Sequence, residues 1–207
     1  MAGLSTVRTP MNTLSVVRIA GLVLVAQAAL WAQSKLEFVD LRLQGGLVET
    51  QGYGGALTLM AGNIGTKDPM LEVPDDLGLV LGLRGSLAHQ RVKDGDDQID
   101  TNLAAAHVLG GFGYYVNKRQ HCELYVGYGL GRPTLTADHG GFHNDGNATV
   151  WTAECGWHYT RKSGTQFGIV GGWSWTRVEF QPAEETSPSV FAQANGFNLM
   201  VSVGHRF

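Results

Sequence analysis

The sequence predicts an all-β protein, an eight-stranded antiparallel up-and-down transmembrane β-barrel that follows an N-terminal signal peptide. Three observations predict it. Apolar residues alternate with small or polar ones in eight separate stretches, the last of which runs to the final residue. Beyond residue 32 no stretch approaches the roughly 18 consecutive apolar residues of a membrane helix, so a closed barrel is the remaining way for such a chain to span a bilayer. Short polar breaks also alternate with long polar ones over the second half of the chain.

The first 32 residues read as the signal peptide. Arg8 and Arg18 precede an uncharged apolar run at 19–32, which gives way to Gln33, Ser34 and Lys35. Cleavage is expected after Ala32, with Ala28 as the next choice, and Met11 is an alternative start. Removing 1–32 takes away two arginines and no acid, moving the formal charge from -3 to -5 and arguing against a nucleic-acid partner. The remaining 33–207 form one domain, long enough for a full core and rich in glycine, of which the whole chain has 29.

In a strand, alternate residues face opposite ways. Residues 36–47 place Val39, Leu41, Leu43 and Leu47 on one face and Asp40, Arg42 and Gln44 on the other. Residues 53–61 do the same with Tyr53, Leu57, Leu59 and Ala61, and 77–87 with Leu77, Leu79, Leu81, Leu83 and Leu87 opposite Arg84 and Ser86. In 102–116 the apolar set is Val108, Phe112, Tyr114 and Val116, leaving His107 and Tyr115 on the other side. A polar break at 117–120 leads to 121–131, with Cys122, Leu124, Val126, Tyr128 and Leu130 against His121, Glu123 and Tyr125. Residues 148–160 oppose Trp151, Ala153, Cys155, Trp157 and Tyr159 to Thr152, Glu154, Gly156 and His158. After a tight turn at 161–164, residues 166–177 carry Phe167, Ile169, Gly171, Trp173 and Trp175 on one face. The terminal stretch sets Phe197, Leu199, Val201, Val203 and Phe207 against Asn198, Met200, Ser202 and Arg206.

Alternation does not say which face is inside. A soluble secreted barrel of the lipocalin or avidin kind would bury the large apolar set. Here the opposite set holds Arg84, Glu123, Glu154 and His158 among glycines, too polar for a dry core, so the apolar face is expected to meet lipid. Tyr128, Trp151, Trp157, Tyr159, Trp173 and Trp175 lie near strand ends on that face, as interfacial girdles require. Breaks at 117–120 and 161–164 are expected as periplasmic turns, and 88–101, 132–147 and 178–194 as long external loops. The short link at 47–52 and the long one at 63–76 leave the strand assignment between 47 and 76 open.

With these residues in place, the chain from about 36 onward resembles the small eight-stranded outer-membrane barrels of the OmpA and OmpX type, and its aromatic-ended last strand resembles their assembly signal. The resemblance implies that Phe197, Leu199, Val201, Val203 and Phe207 are read by the barrel-assembly machinery. It also implies a bacterial outer-membrane location, contact with outer-membrane lipid and lipopolysaccharide, periplasmic chaperones as transient partners, and a monomer whose lumen is plugged by polar side chains. The expected function is structural or surface-interacting through external loops, with a narrow channel or ligand-binding barrel as the alternative.

Several clusters bear on chemistry. Arg84, His107, Glu123, Glu154 and His158 are expected as an interior polar network. With a hairpin centred near residue 139, Glu123 would face Glu154, so that one is protonated or both share a cation, and Cys122 would face Cys155, permitting a disulfide. A two-residue slip would leave two thiols. Asp94, Asp96, Asp97 and Asp100 lack the closing glutamate of a calcium loop and read as a solvated loop. Asp138, His139, His143 and Asp145 have no regular element to fix them as metal ligands. The stretch 142–147 is faintly similar to the His-x-Ser-Asn motif of outer-membrane lipid A deacylases but has no serine to attack an ester. No catalytic residue, cofactor or metal is therefore expected.

Overall fold

The computed structural model describes residues 38–49, 51–62, 77–95, 97–136, 142–182 and 189–207; at 97, 142–145, 181 and 182 it describes the backbone alone. The signal peptide expected at 1–32 lies outside these residues. Eight strands follow in order: β1 (Phe38–Val48), β2 (Gly52–Gly62), β3 (Leu77–Asp94), β4 (Asp97–Asn117), β5 (Gln120–Leu135), β6 (Phe142–Thr160), β7 (Thr165–Pro182) and β8 (Val190–Arg206). Each pairs antiparallel with the next, and β8 closes on β1 with Leu43 opposite Val203, making an up-and-down barrel. Closure of β8 on β1 leaves no free edge strand at the height of the β1–β2 hairpin.

Strand boundaries follow local chemistry. Gly164, with φ at +84°, ends the tight 161–164 turn, where a side chain would strike the Arg206 carbonyl and the His205 ring. At 117–120 the Asn117 side chain accepts hydrogen bonds from the backbone N–H groups of Arg119 and Gln120. Both short breaks are turns, as expected. Of the assignment left open between 47 and 76, the structure ends β1 at Val48 and starts β2 at Gly52, with the Gln51 backbone N–H donating to the Glu49 carbonyl between them, and 63–76 lie outside the described residues.

The long external loops are a correction. β3 and β4 continue through 88–101 to a turn at Gly95, β5 runs to Leu135, and the described parts of 132–147 and 178–194 are largely strand. A crossing needs about 9–11 residues. The 21 residues of β4 therefore reach far past one.

Above the short β1–β2 hairpin the wall is carried by β3 to β8, and Lys93 of β3 pairs directly with Gln193 of β8. The polarity of the wall inverts at this level. Below it the outer face is apolar around the whole circumference, with Leu87 69 % and Val201 65 % exposed. Above it the outer face carries Arg91, Lys93, Asp100, Arg132, Arg177, Glu179 and Gln193, while Val92, Ile99, Leu103, Val150, Val178, Phe180 and Ala192 pack together inside. Only a change of solvent along the barrel, lipid below and water above, makes both arrangements favourable for one continuous wall.

Candidate functional site in the barrel lumen

The lumen is lined by every second residue of each strand, so its contents follow from the pleat. On β1 that set is Phe38, Asp40, Arg42 and Gln44, all buried. Arg42 spans the lumen from β1 to β5 and donates two parallel hydrogen bonds, each 2.6 Å, to the two carboxylate oxygens of Glu123. Its Nη2 also donates to Asp40 Oδ2 at 2.7 Å. Arg206, the last residue of β8, grips the same Asp40 through Nε and Nη2 at 2.7 and 2.8 Å and donates to the Tyr115 hydroxyl at 2.6 Å. Gln166 donates to Asp40 from β7 at 2.9 Å. His121 and His158 stack with ring centroids 5.1 Å apart, and each has its Nε2 beside Glu123.

A second layer lies closer to the external end. Arg84 donates two bonds, 2.7 and 2.8 Å, to the two oxygens of Glu154, a third to the Tyr125 hydroxyl and a fourth to Thr58. Tyr125 in turn donates to Glu154 at 2.8 Å, and Thr58 to Gln44 at 2.7 Å. His107 sits above this layer, 2.9 Å from the Ser86 hydroxyl. Two-pronged guanidinium–carboxylate pairs are the geometry in which burial of both charges is tolerated. The lumen glycines make room for these heads. A side chain at Gly168 would run into the His158 ring, and one at Gly129 into the His107 ring.

Of the residues expected as an interior network, the structure joins Arg84 and Glu154 in this layer with His107 above it, and puts Glu123 and His158 in the lower one. The expected Glu123–Glu154 face-off does not occur. Glu123 lies opposite Gly156, and Tyr125 opposite Glu154, a slip of two residues from the expected pairing of Glu123 with Glu154. Each carboxylate has its own arginine. The register that forms sets Tyr125 against Glu154 and Tyr128 against Trp151, with ring centroids 4.7 Å apart. The same displacement puts Cys122 opposite Trp157 and Cys155 opposite Leu124, so the two cysteines sit diagonally on the outer face as free thiols and the disulfide is not formed.

Arg42, Asp40, Arg206 and Glu49 were not singled out from the sequence. The signal for the first two was present, since Asp40 and Arg42 share the lumen face of β1 with Gln44. Asp40, His121 and Glu123 have the spacing of a metal group. Their oxygens are already bridged by the guanidinium groups of Arg42 and Arg206, so cationic charge occupies that position. In the acidic external cluster Asp100 accepts a hydrogen bond from Arg91 at 2.7 Å, and the side chains of Asp96 and Asp97 lie outside the described residues. So do those of Asp138, His139, His143 and Asp145.

Glu49 occupies the tip of the β1–β2 hairpin. It is the non-glycine residue with positive φ among the described residues, at +50°. Its backbone N–H donates to the Asn198 side chain, and its Oε1 accepts from the hydroxyls of Ser174 and Thr176. In this link, outside the spanning strands, burial pushes the Glu49 carboxyl above its ordinary pKa, while the hydroxyls of Thr176 and Ser174 act the other way. Beside it lies a cavity of about 40 Å³ bounded also by Arg84, Gln90, His107, Thr152 and Glu154. That space holds a few water molecules and no organic solute.

No family model matches the chain, and no curated protein matches it. Solved structures that it is similar to include a major outer membrane protein from Thermus thermophilus, at 12% identity and a TM-score of 0.42 over 82% of this chain and 99% of that one. The translocator domain of the autotransporter NalP from Neisseria meningitidis aligns at 10% identity and a TM-score of 0.35, over 93% of this chain and 76% of that one. The beta domain of the Bordetella autotransporter Brka aligns at 14% identity and a TM-score of 0.27, over 79% and 78%. What marks this chain as an integral outer-membrane-type β-barrel is its own wall. An even number of antiparallel strands closes on itself, an apolar belt faces outward, and aromatic residues rim that belt, Trp151, Trp173 and Trp175 at one edge and Trp157, Phe167 and Phe207 at the other.

Proposed function

We propose that the protein is a non-conducting bacterial outer-membrane barrel of the OmpA and OmpX kind, with a structural or surface-interacting role carried by its external strands and connections. One observation carries this reading: apart from the cavity of about 40 Å³ beside Glu49, side chains fill the described lumen. Salt-bridged side chains occupy the lower part and an apolar cluster, including Phe180 and Val92, occupies the upper part. An ion entering from outside meets a dry apolar core first, where a charge is strongly disfavoured. Asp40, Arg42, Arg84, His107, His121, Glu123, Glu154 and His158 are each at most 6 % exposed, which supports a non-catalytic role because a substrate has little access to them. The polar external wall supports a surface role.

The reading is tested by reconstituting the folded barrel in planar bilayers, beside whole-cell binding with residues 95–97 and 183–189 replaced by short linkers. Absence of single-channel steps together with binding that depends on these segments is the expected result. Steady conductance steps would overturn it in favour of a narrow channel, and recovery of the protein from cells without detergent would overturn the membrane placement.

A further inference from the structure

Four carboxylates are buried among the described residues: Asp40, Glu49, Glu123 and Glu154. Three are matched to arginines, Asp40 to Arg42 and Arg206, Glu123 to Arg42, and Glu154 to Arg84. Among the described residues Glu49, 5 % exposed, has no ion pair and its Oε2 has no hydrogen-bond partner. An unpaired buried carboxylate is strongly disfavoured, so the missing positive charge needs an account. The charged and titratable groups around the adjoining cavity are Arg84 from β3, His107 from β4 and Glu154 from β6. Arg84 and Glu154 neutralise each other through two hydrogen bonds, leaving one net negative charge on Glu49.

The remaining polar lining suits a hard cation. Ser174, Thr176, Thr152 and Asn198 place hydroxyl or amide oxygens around the cavity, and the Thr152 hydroxyl is, like Glu49 Oε2, buried without a partner. Hard cations take oxygen ligands. The charge balance selects a monovalent ion, because the next carboxylate is already spent on Arg84. We propose that the cavity beneath the β1–β2 tip is a binding site for a small monovalent cation such as sodium, with the Glu49 carboxylate as its anionic ligand. The ion ties the hairpin tip to β7 and β8 under the Lys93–Gln193 seam.

The test is the thermal unfolding midpoint of the folded full-length barrel in detergent, in sodium chloride against choline chloride at equal ionic strength. Choline is too large for a 40 Å³ cavity. The expected result is a higher midpoint in sodium that rises with the logarithm of its concentration, as ligand linkage requires. Glu49→Gln keeps an oxygen for Ser174 and Thr176, and it is expected to abolish the difference between the two salts. Equal wild-type midpoints in sodium and choline would overturn the proposal and leave Glu49 protonated. A sodium effect that survives in Glu49→Gln would overturn the assignment to this cavity. The wild-type comparison stands alone if the variant does not fold, and neither result depends on whether the barrel conducts.

Discussion

Arg42 and Glu123 lie 81 residues apart in sequence and meet across the lumen through two parallel 2.6 Å hydrogen bonds, pinning β1 to β5 on opposite sides of the barrel. Removing one partner leaves the other charged and buried. Arg42→Met is therefore expected to cost about 3–5 kcal/mol. The check is the temperature at which the compact, fast-migrating band on a detergent gel converts to the slow one. Arg42→Met combined with Glu123→Gln should recover much of the loss, since Asp40 keeps its pair with Arg206 and no unpaired charge then remains. A double variant as weak as the single one would contradict the pairing.

The inversion of wall polarity makes the outward face sensitive to substitution on the belt and the inward face sensitive above it. Val201→Arg, on the belt, is expected to cost about 2–4 kcal/mol if it lies near the bilayer midplane. Arg177→Leu, above the belt and facing out, should leave membrane stability nearly unchanged. Phe180→Ala, facing in at that height, should cost about 3–5 kcal/mol through the cavity it leaves in the apolar cluster. Equal effects of Phe180→Ala and Arg177→Leu would refute a packed core above the membrane.

Cys122 and Cys155 are free and face outward, Cys155 exposed and Cys122 half-buried. Cys122→Ser and Cys155→Ser should each shift the gel transition little, by within about 0.5 kcal/mol as for other surface changes. Both thiols should take up a membrane-permeant maleimide, read by mass spectrometry without prior reduction. Labelling that appears only after reduction would show a bond between them.

At Glu49 the pH dependence has a defined sign. The folded pKa is raised by burial, so in choline the folded state holds a proton that the unfolded chain has released. Stability should be full below the ordinary glutamate pKa and decline as pH rises through the raised value. Subtracting the Glu49→Gln profile isolates this group from the other carboxylates. A difference that grows in the opposite direction would mean that the Ser174 and Thr176 hydroxyls outweigh burial.

Much of the barrel was legible before any fold was known, because side-chain direction along a strand is a local property. The alternation of Leu77 to Leu87 or of Phe197 to Val203 determined which residues face out, and the polarity of Arg84, Glu123, Glu154 and His158 determined that the other face is not a dry core. The same rule concealed the upper wall. Through Val92, Val178 and Phe180 the period of two continues, but the apolar residues move to the inner face, and a reading that expected them outside ends the strand and writes a loop. What only the tertiary structure decided is everything set by register and closure. The diagonal placement of Cys122 and Cys155, the separate arginines of Glu123 and Glu154, and the reach of Arg42 across the lumen depend on how far one strand slides past the next and which strands end up opposite. Those quantities are properties of the closed barrel as a whole, and no window of sequence contains them. The inward turn of Glu49 at a positive φ belongs with them, because the hydroxyls that receive it come from β7, more than a hundred residues later.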